Sequence, residues 1–227
     1  MQQPTAGVTP SVANPWPDVH PDDLRLSAAL CYEALAPLTG ADWERPANGL
    51  EWTCRRTLQH VANALDWYGL LQVTPSSVRL PSLGLRYVSP SIPEILEIVQ
   101  RRAAVLSVLT ASADPDARGY HSWGLPDRSG YVAMGCAEIV LHTDDIVQGF
   151  GREYRPPDDA LCARVVRRLF PWAPDSLAGW TALQWVTGRL TVPEYGRVPA
   201  NWIWHCSPSS EWDGEIKTRE SLDHPSA

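Results

Sequence analysis

The sequence predicts an all-α protein: a four-helix bundle with a long crossover loop, then two short C-terminal helices and a Trp-rich irregular tail. Three observations lead there. Apolar residues recur at helical spacing in six stretches, and none shows the alternation of a half-buried strand. Helix-start and helix-stop residues bracket those stretches. The connection after the second stretch is long enough to run the length of a domain, which permits a crossover instead of a simple hairpin.

Residues 1–20 are proline-rich and poor in large apolar side chains, so a flexible N-terminal arm is expected there. Asp22 and Asp23 open the first helix, where the helix dipole favours acids. Its apolar positions are Leu24, Ala28, Cys31, Leu35 and Leu38; Pro37 should distort the last turn and Gly40 end it. Thr53 is a candidate N-cap for a second helix from Cys54 to about Gln72, with Leu58, Val61, Ala62 and Leu65 inward. Residues 74–90 form the crossover loop. Ser91 and Glu94 then make a Ser-x-x-Glu capping box for a third helix reaching about Ser112. After a loop from Asp114 to Gly130, the fourth helix is expected over Tyr131 to Phe150. A fifth begins near Pro157-Asp158-Asp159 and runs to about Phe170. A sixth, capped by Asp175 or Ser176, runs to Thr187 and stops at Gly188. The expected division is a flexible arm at 1–20, a metal-binding four-helix bundle at 21–155, a short helical extension at 156–206, and a tail at 207–227 that frays from Lys217 onward.

Composition excludes several classes. The formal charge is −7 and Lys217 is the single lysine, so nothing suggests the basic stripe of a nucleic-acid binder. No apolar run reaches 18 residues, which argues against a membrane span. The first residues lack the basic and apolar blocks of a secretory signal. Five scattered cysteines with no Cys-x-x-Cys spacing argue against a disulfide framework and for a reducing, cytoplasmic setting. The abundance of Arg, Ala, Pro and Trp is that of a high-GC bacterial sequence.

Chemistry is concentrated on the fourth helix. Glu138 and His142 stand four apart and share one face, which is otherwise apolar. Burying an acid and an imidazole is costly unless something pairs them, and a divalent metal is such a partner. The spacing alone is common; His60, beside the apolar stripe of the second helix, supplies a third ligand from a facing helix. Two imidazoles and one carboxylate suit zinc with an open fourth position, and Ni, Fe or Mn would accept the same donors. Asp145 can hydrogen-bond His142 and fix its tautomer, or serve as a base. His121, in the loop before the fourth helix, is a second candidate base. Asp144 should face solvent. Arg55, Arg56 and Arg86 are candidates for holding a cofactor or substrate anion, and Trp67 and Tyr68 for lining a pocket.

Two segments resemble a known family. Trp52-Thr53-Cys54 through His60-Val61-Ala62 is similar to the start of the second helix in DinB/YfiT-like metal-binding bundles. Glu138 through Asp145 reads Glu-x-x-x-His-x-x-Asp, and this resembles the N-terminal domain of the mycothiol-dependent maleylpyruvate isomerase branch. Gly149-Phe150-Gly151 and Trp185 through Arg189 are similar to further segments of that branch, and the likeness covers roughly residues 22–205. It implies a metal held by His60, Glu138 and His142. It also implies a low-molecular-weight thiol such as mycothiol as co-substrate, and isomerisation or S-transfer on a small electrophilic substrate. The expected state is monomer or homodimer. Two other readings fit the same residues: a metal-assisted hydrolase or lyase that activates water, and a non-catalytic bundle that binds a small molecule.

Overall fold

A computed structural model of the chain describes residues 18–74 and 90–223. Most of the expected arm and crossover loop, with Arg86, lie outside the described residues. The described residues are all-α: they contain no strand, only isolated bridges such as Pro46 with Thr53 and Trp202 with Thr218.

Four long helices come first: α1 (Asp22–Leu35), α2 (Cys54–Val73), α3 (Ile92–Ser112) and α4 (Arg128–Gly149). The chain ends α1 where Pro37 forbids its continuation, and Ala36–Leu38 tighten into a 3-10 turn. Thr53 caps α2 by accepting from the Arg56 amide at 3.2 Å. Glu94 takes the Ser91 amide at 2.7 Å, as the capping box requires. Helices α1 and α2 each pack against both α3 and α4, so the four enclose one core.

Helix α4 is the most enclosed of them. Every residue from Tyr131 to Ala137 is buried, and α1, α2, α3 and a fifth helix all touch it. Its β-branched residues and glycines are weak helix formers, by a few tenths to about 1 kcal/mol each. Burying one side chain of Leu or Ile size contributes roughly 1.5–3 kcal/mol, so packing and not propensity holds α4 together. It also starts earlier than expected. Asp127 caps it by accepting from the Gly130 amide at 2.8 Å, which draws residues 128–130 out of the loop into the first turn.

Helices α5 (Asp159–Leu169) and α6 (Gly179–Val186) pack on each other, and α5 rests on α4. The expected cap of α6 at Asp175 or Ser176 is not used. Asp159, in the first turn of α5, accepts the Gly179 and Trp180 amides at 3.0 and 2.8 Å instead. This draws the two helices so close that a Cβ on Gly179 would clash with the Asp159 carbonyl oxygen. Arg168 of α5 is fully buried. It donates to Asp127 at 2.7 Å, to Ser129 at 2.7 Å and to the Cys206 carbonyl at 3.0 Å, tying α5, the α4 cap and the C-terminal segment together.

Beyond α6, Trp202 and Trp204 pack back on the bundle: Trp123 meets both edge to face, at 6.1 and 4.8 Å, and Phe170 lies tilted 5.8 Å from Trp202. The tail expected to be frayed carries a last turn of helix, α7 (Arg219–Asp223). It is held where the Arg219 amide donates to the Asn201 carbonyl at 2.9 Å. All five cysteines are buried thiols, as small apolar residues would be.

Candidate metal centre

Helices α2 and α4 bring His60, Glu138 and His142 together. One donor atom from each lies within 4.8 Å of the others. The Nε2 atoms of both histidines stand 3.2 Å from the same oxygen, Glu138 Oε2. Glu138 and His142 are nearly enclosed, at 12% and 13% side-chain exposure, whereas His60 is at 37%, so the centre opens on its side.

Around this trio the surroundings fix each donor. His142 Nδ1 lies 2.9 Å from Asp145 Oδ2, which places the ring proton on Nδ1 and turns the Nε2 lone pair towards Glu138. Tyr68 donates to Glu138 Oε1 at 3.3 Å. Burial and the adjacent Glu138 carboxylate push the Tyr68 phenol well up, so it remains a donor. Trp52 lies beside His60, with ring centroids 4.9 Å apart. Arg189 donates to both oxygens of Asp145, at 2.9 and 2.7 Å. Gly188 makes this reach possible. It takes φ +68, and the turn sends the Arg189 amide back to the Gln184 carbonyl at 2.8 Å while its own amide bonds Trp185 at 2.9 Å.

The electrostatics call for positive charge between the three. A carboxylate oxygen facing an imidazole lone pair at 3.2 Å is repulsive unless a cation or a proton bridges them. The His142 ring responds accordingly: burial pushes its pKa down, but the bonds to Asp145 and Glu138 outweigh that and carry it up to about 9. For Glu138, burial acts upward, and the two histidines outweigh it and hold the carboxyl well below the usual range. One oxygen and two imidazole nitrogens, with one ring locked by a carboxylate behind it, fit a divalent cation.

Other residues fall in different places from those expected. Asp144 is buried, not solvent-facing, because α4 is covered on its outer side as well; Gln184 of α6 donates to it at 3.3 Å. Asp145 has both oxygens engaged, Oδ2 by His142 and Arg189 and Oδ1 by Arg189, which positions the His142 ring. His121 is half-buried beside the centre. Its Nδ1 accepts from the Trp123 amide at 3.1 Å and burial pushes its pKa down to about 4, so the neutral ring presents an Nε2 donor. Arg55 is bonded to Glu44 at 2.7 Å and to the Pro90 carbonyl at 3.0 Å, and Arg56 lies over the Trp52 ring; neither lines the clefts at the centre. Arg189, Arg197 and Arg219 stand there instead. Their signal in the sequence is faint: three arginines in an irregular segment, with no period to link them to α4.

Two clefts flank the trio. The larger, about 560 Å³, is lined by Glu138, His142, Asp145 and these three arginines. The smaller, about 440 Å³, is lined by His60, Trp67, Tyr68, Tyr120, His121 and Glu138 among others. No family model, curated protein or solved structure matches the chain.

Proposed function

We infer that the protein is a metal-dependent enzyme built on a DinB/YfiT-like four-helix bundle with a crossover connection. In this reading it uses a low-molecular-weight thiol, such as mycothiol, for isomerisation or S-transfer on a small electrophilic substrate. The observation that carries the reading is the pair of imidazole nitrogens converging on one carboxylate oxygen, with Asp145 locking the second ring from behind. The resemblance of the segments around His60 and Glu138–Asp145 to the maleylpyruvate isomerase branch supports the thiol. The Trp-rich segment after α6 closes over one side of the same centre, and five buried free thiols suit a reducing cytoplasm.

Bound between His60, Glu138 and His142, a zinc ion would supply Lewis acidity, which favours a thiolate over a thiol at neutral pH. The chain's residues do the rest. Asp145 and Arg189 keep the His142 lone pair aimed inward. Tyr68 holds Glu138 by its second oxygen and leaves Oε2 to the centre. His121 offers an Nε2 donor to whatever enters the smaller cleft. Trp123 and Trp204 exclude water from the wall between the clefts.

The test is the visible spectrum of the cobalt-substituted protein on addition of mycothiol or a simple alkyl thiol. The thiol reading expects a sulfur-to-cobalt charge-transfer band that grows with pH. A spectrum that responds to pH alone, with or without thiol, would favour the water-activating reading.

A further inference from the structure

The two clefts differ in chemistry, although both include Glu138, Trp123 and Trp204 in their walls. The larger one carries Arg189, Arg197 and Arg219 together with the polar Asn48 and Gln148. Arg189 is neutralised by Asp145, but Arg197 donates to the Gly188 carbonyl at 2.9 Å, and Arg219 lies 6.0 Å over the Trp123 ring. In a chain with net charge −7, guanidinium groups gathered at one cleft make it a local site for polar or anionic groups.

Among the described residues, the smaller cleft has no lysine or arginine in its wall. Most of its lining is aromatic, from Trp67, Tyr68, Tyr120, His121, Trp123 and Trp204. Four of these rings touch in sequence, with His121 5.4 Å from Trp123, 6.0 Å from Trp204 and 6.2 Å from Tyr68, and Trp67 and Tyr120 add to the same lining. Its volume of about 440 Å³ is that of a small-molecule pocket, and it opens beside the exposed edge of His60. Flat apolar ligands gain there from burial and ring stacking, and no described wall residue offers an anion the guanidinium partners that the larger cleft does.

We propose that the aromatic cleft beside His60 binds the electrophilic reactant, an uncharged aromatic or similarly flat apolar molecule, while the arginine-lined cleft takes the polar thiol co-substrate. This assignment rests on the thiol reading above. The centre is thus approached from two sides, with Trp123 and Trp204 as the partition.

The experiment is isothermal titration calorimetry of nitrobenzene into the full zinc-loaded chain, with no thiol present and para-nitrobenzoate as the charged counterpart. Saturable binding is expected, weakened about tenfold or more by Trp67→Ala and by Tyr120→Ala, with zinc content unchanged in both. Both rings are only partly buried, so these variants keep the core intact. Arg197→Ala should leave nitrobenzene affinity as it is. Non-saturating heats, wild-type affinity in both aromatic variants, or tighter binding of para-nitrobenzoate that is lost in Arg197→Ala would each overturn the assignment. If nitrobenzene fails to bind while the cobalt protein still answers to thiol, the aromatic cleft falls and the thiol reading stands. If nitrobenzene binds and the cobalt spectrum ignores thiol, the aromatic cleft stands and the thiol co-substrate falls.

Discussion

Arg189 grips both oxygens of Asp145, at 2.9 and 2.7 Å, and one of those oxygens also holds His142 Nδ1 at 2.9 Å. A residue just beyond α6 thereby sets the orientation of a ring on α4. Removing the carboxylate charge in Asp145→Asn should weaken zinc affinity by about 10–100-fold while helical content stays near wild type. Arg189→Ala leaves the Asp145 charge buried without its counter-ion and should also lower stability, by on the order of 3 kcal/mol. Competition against a zinc-sensitive dye, with urea denaturation alongside, separates the two effects. Unchanged zinc affinity in both variants would remove the coupling.

The ligands themselves should differ in rank. His142→Ala leaves Glu138 and His60 to hold the metal, and His60→Ala removes the arm from α2, so each is expected to lose most of the bound metal. Glu138→Gln should lose less, because an amide oxygen still ligates. Metal-to-protein ratios after dialysis check the order.

A divalent metal between His60, Glu138 and His142 would compete with protons for the same place. In the metal-free protein the His142 pKa is raised to about 9, so the attraction it contributes is complete below its ordinary value of 6.5 and is lost as pH rises through about 9. The depressed Glu138 carboxyl works in the other direction: its contribution is complete above its ordinary value of 4.5 and is lost on acidification. The metal-free protein should therefore melt at its highest temperature between those two values and lose stability from pH 7 to 9. Zinc binding at pH 7 should release about one proton, seen as a buffer-dependent heat, and affinity should rise with pH up to about 9. A heat independent of buffer ionisation would contradict the bridging proton.

Arg168 is the structural counterpart of Arg189. It is buried and donates to Asp127, Ser129 and two carbonyls of residues 205 and 206. Arg168→Ala strands the cap of α4 and should destabilise the fold by about 3–5 kcal/mol, far more than a typical surface change. Urea denaturation of the variant measures it; a loss under 1 kcal/mol would mean that the C-terminal segment and α4 are not coupled through this residue.

Much of this architecture is legible in the residues, and the illegible part has a common cause. Caps at Thr53 and Ser91–Glu94, the stop at Pro37 and the stripes of α1 to α3 are local features, and local sequence carries them. His60, Glu138 and His142 were readable because two share a helix face and the third lies by a core stripe. What escaped depends on contacts across long stretches of chain. Asp159 caps a helix that starts 20 residues later, which no local cap rule finds. Asp144 is buried because α6 arrives over it, whereas its position on α4 alone suggested solvent. Arg189 meets Asp145 from 44 residues away, through a turn that Gly188 permits. Arg55 and Arg56, candidates for holding an anion, are engaged by Glu44 and by the Trp52 ring instead.

The most direct measurement is elemental analysis of protein purified without chelators, made on the wild type and on His60→Ala and His142→Ala in parallel. The trio predicts about one divalent metal per wild-type chain, most of it lost in each variant while circular dichroism keeps its helical signal. A wild type that neither carries a divalent metal nor takes one up on addition, or variants that retain it in full, would contradict the metal centre.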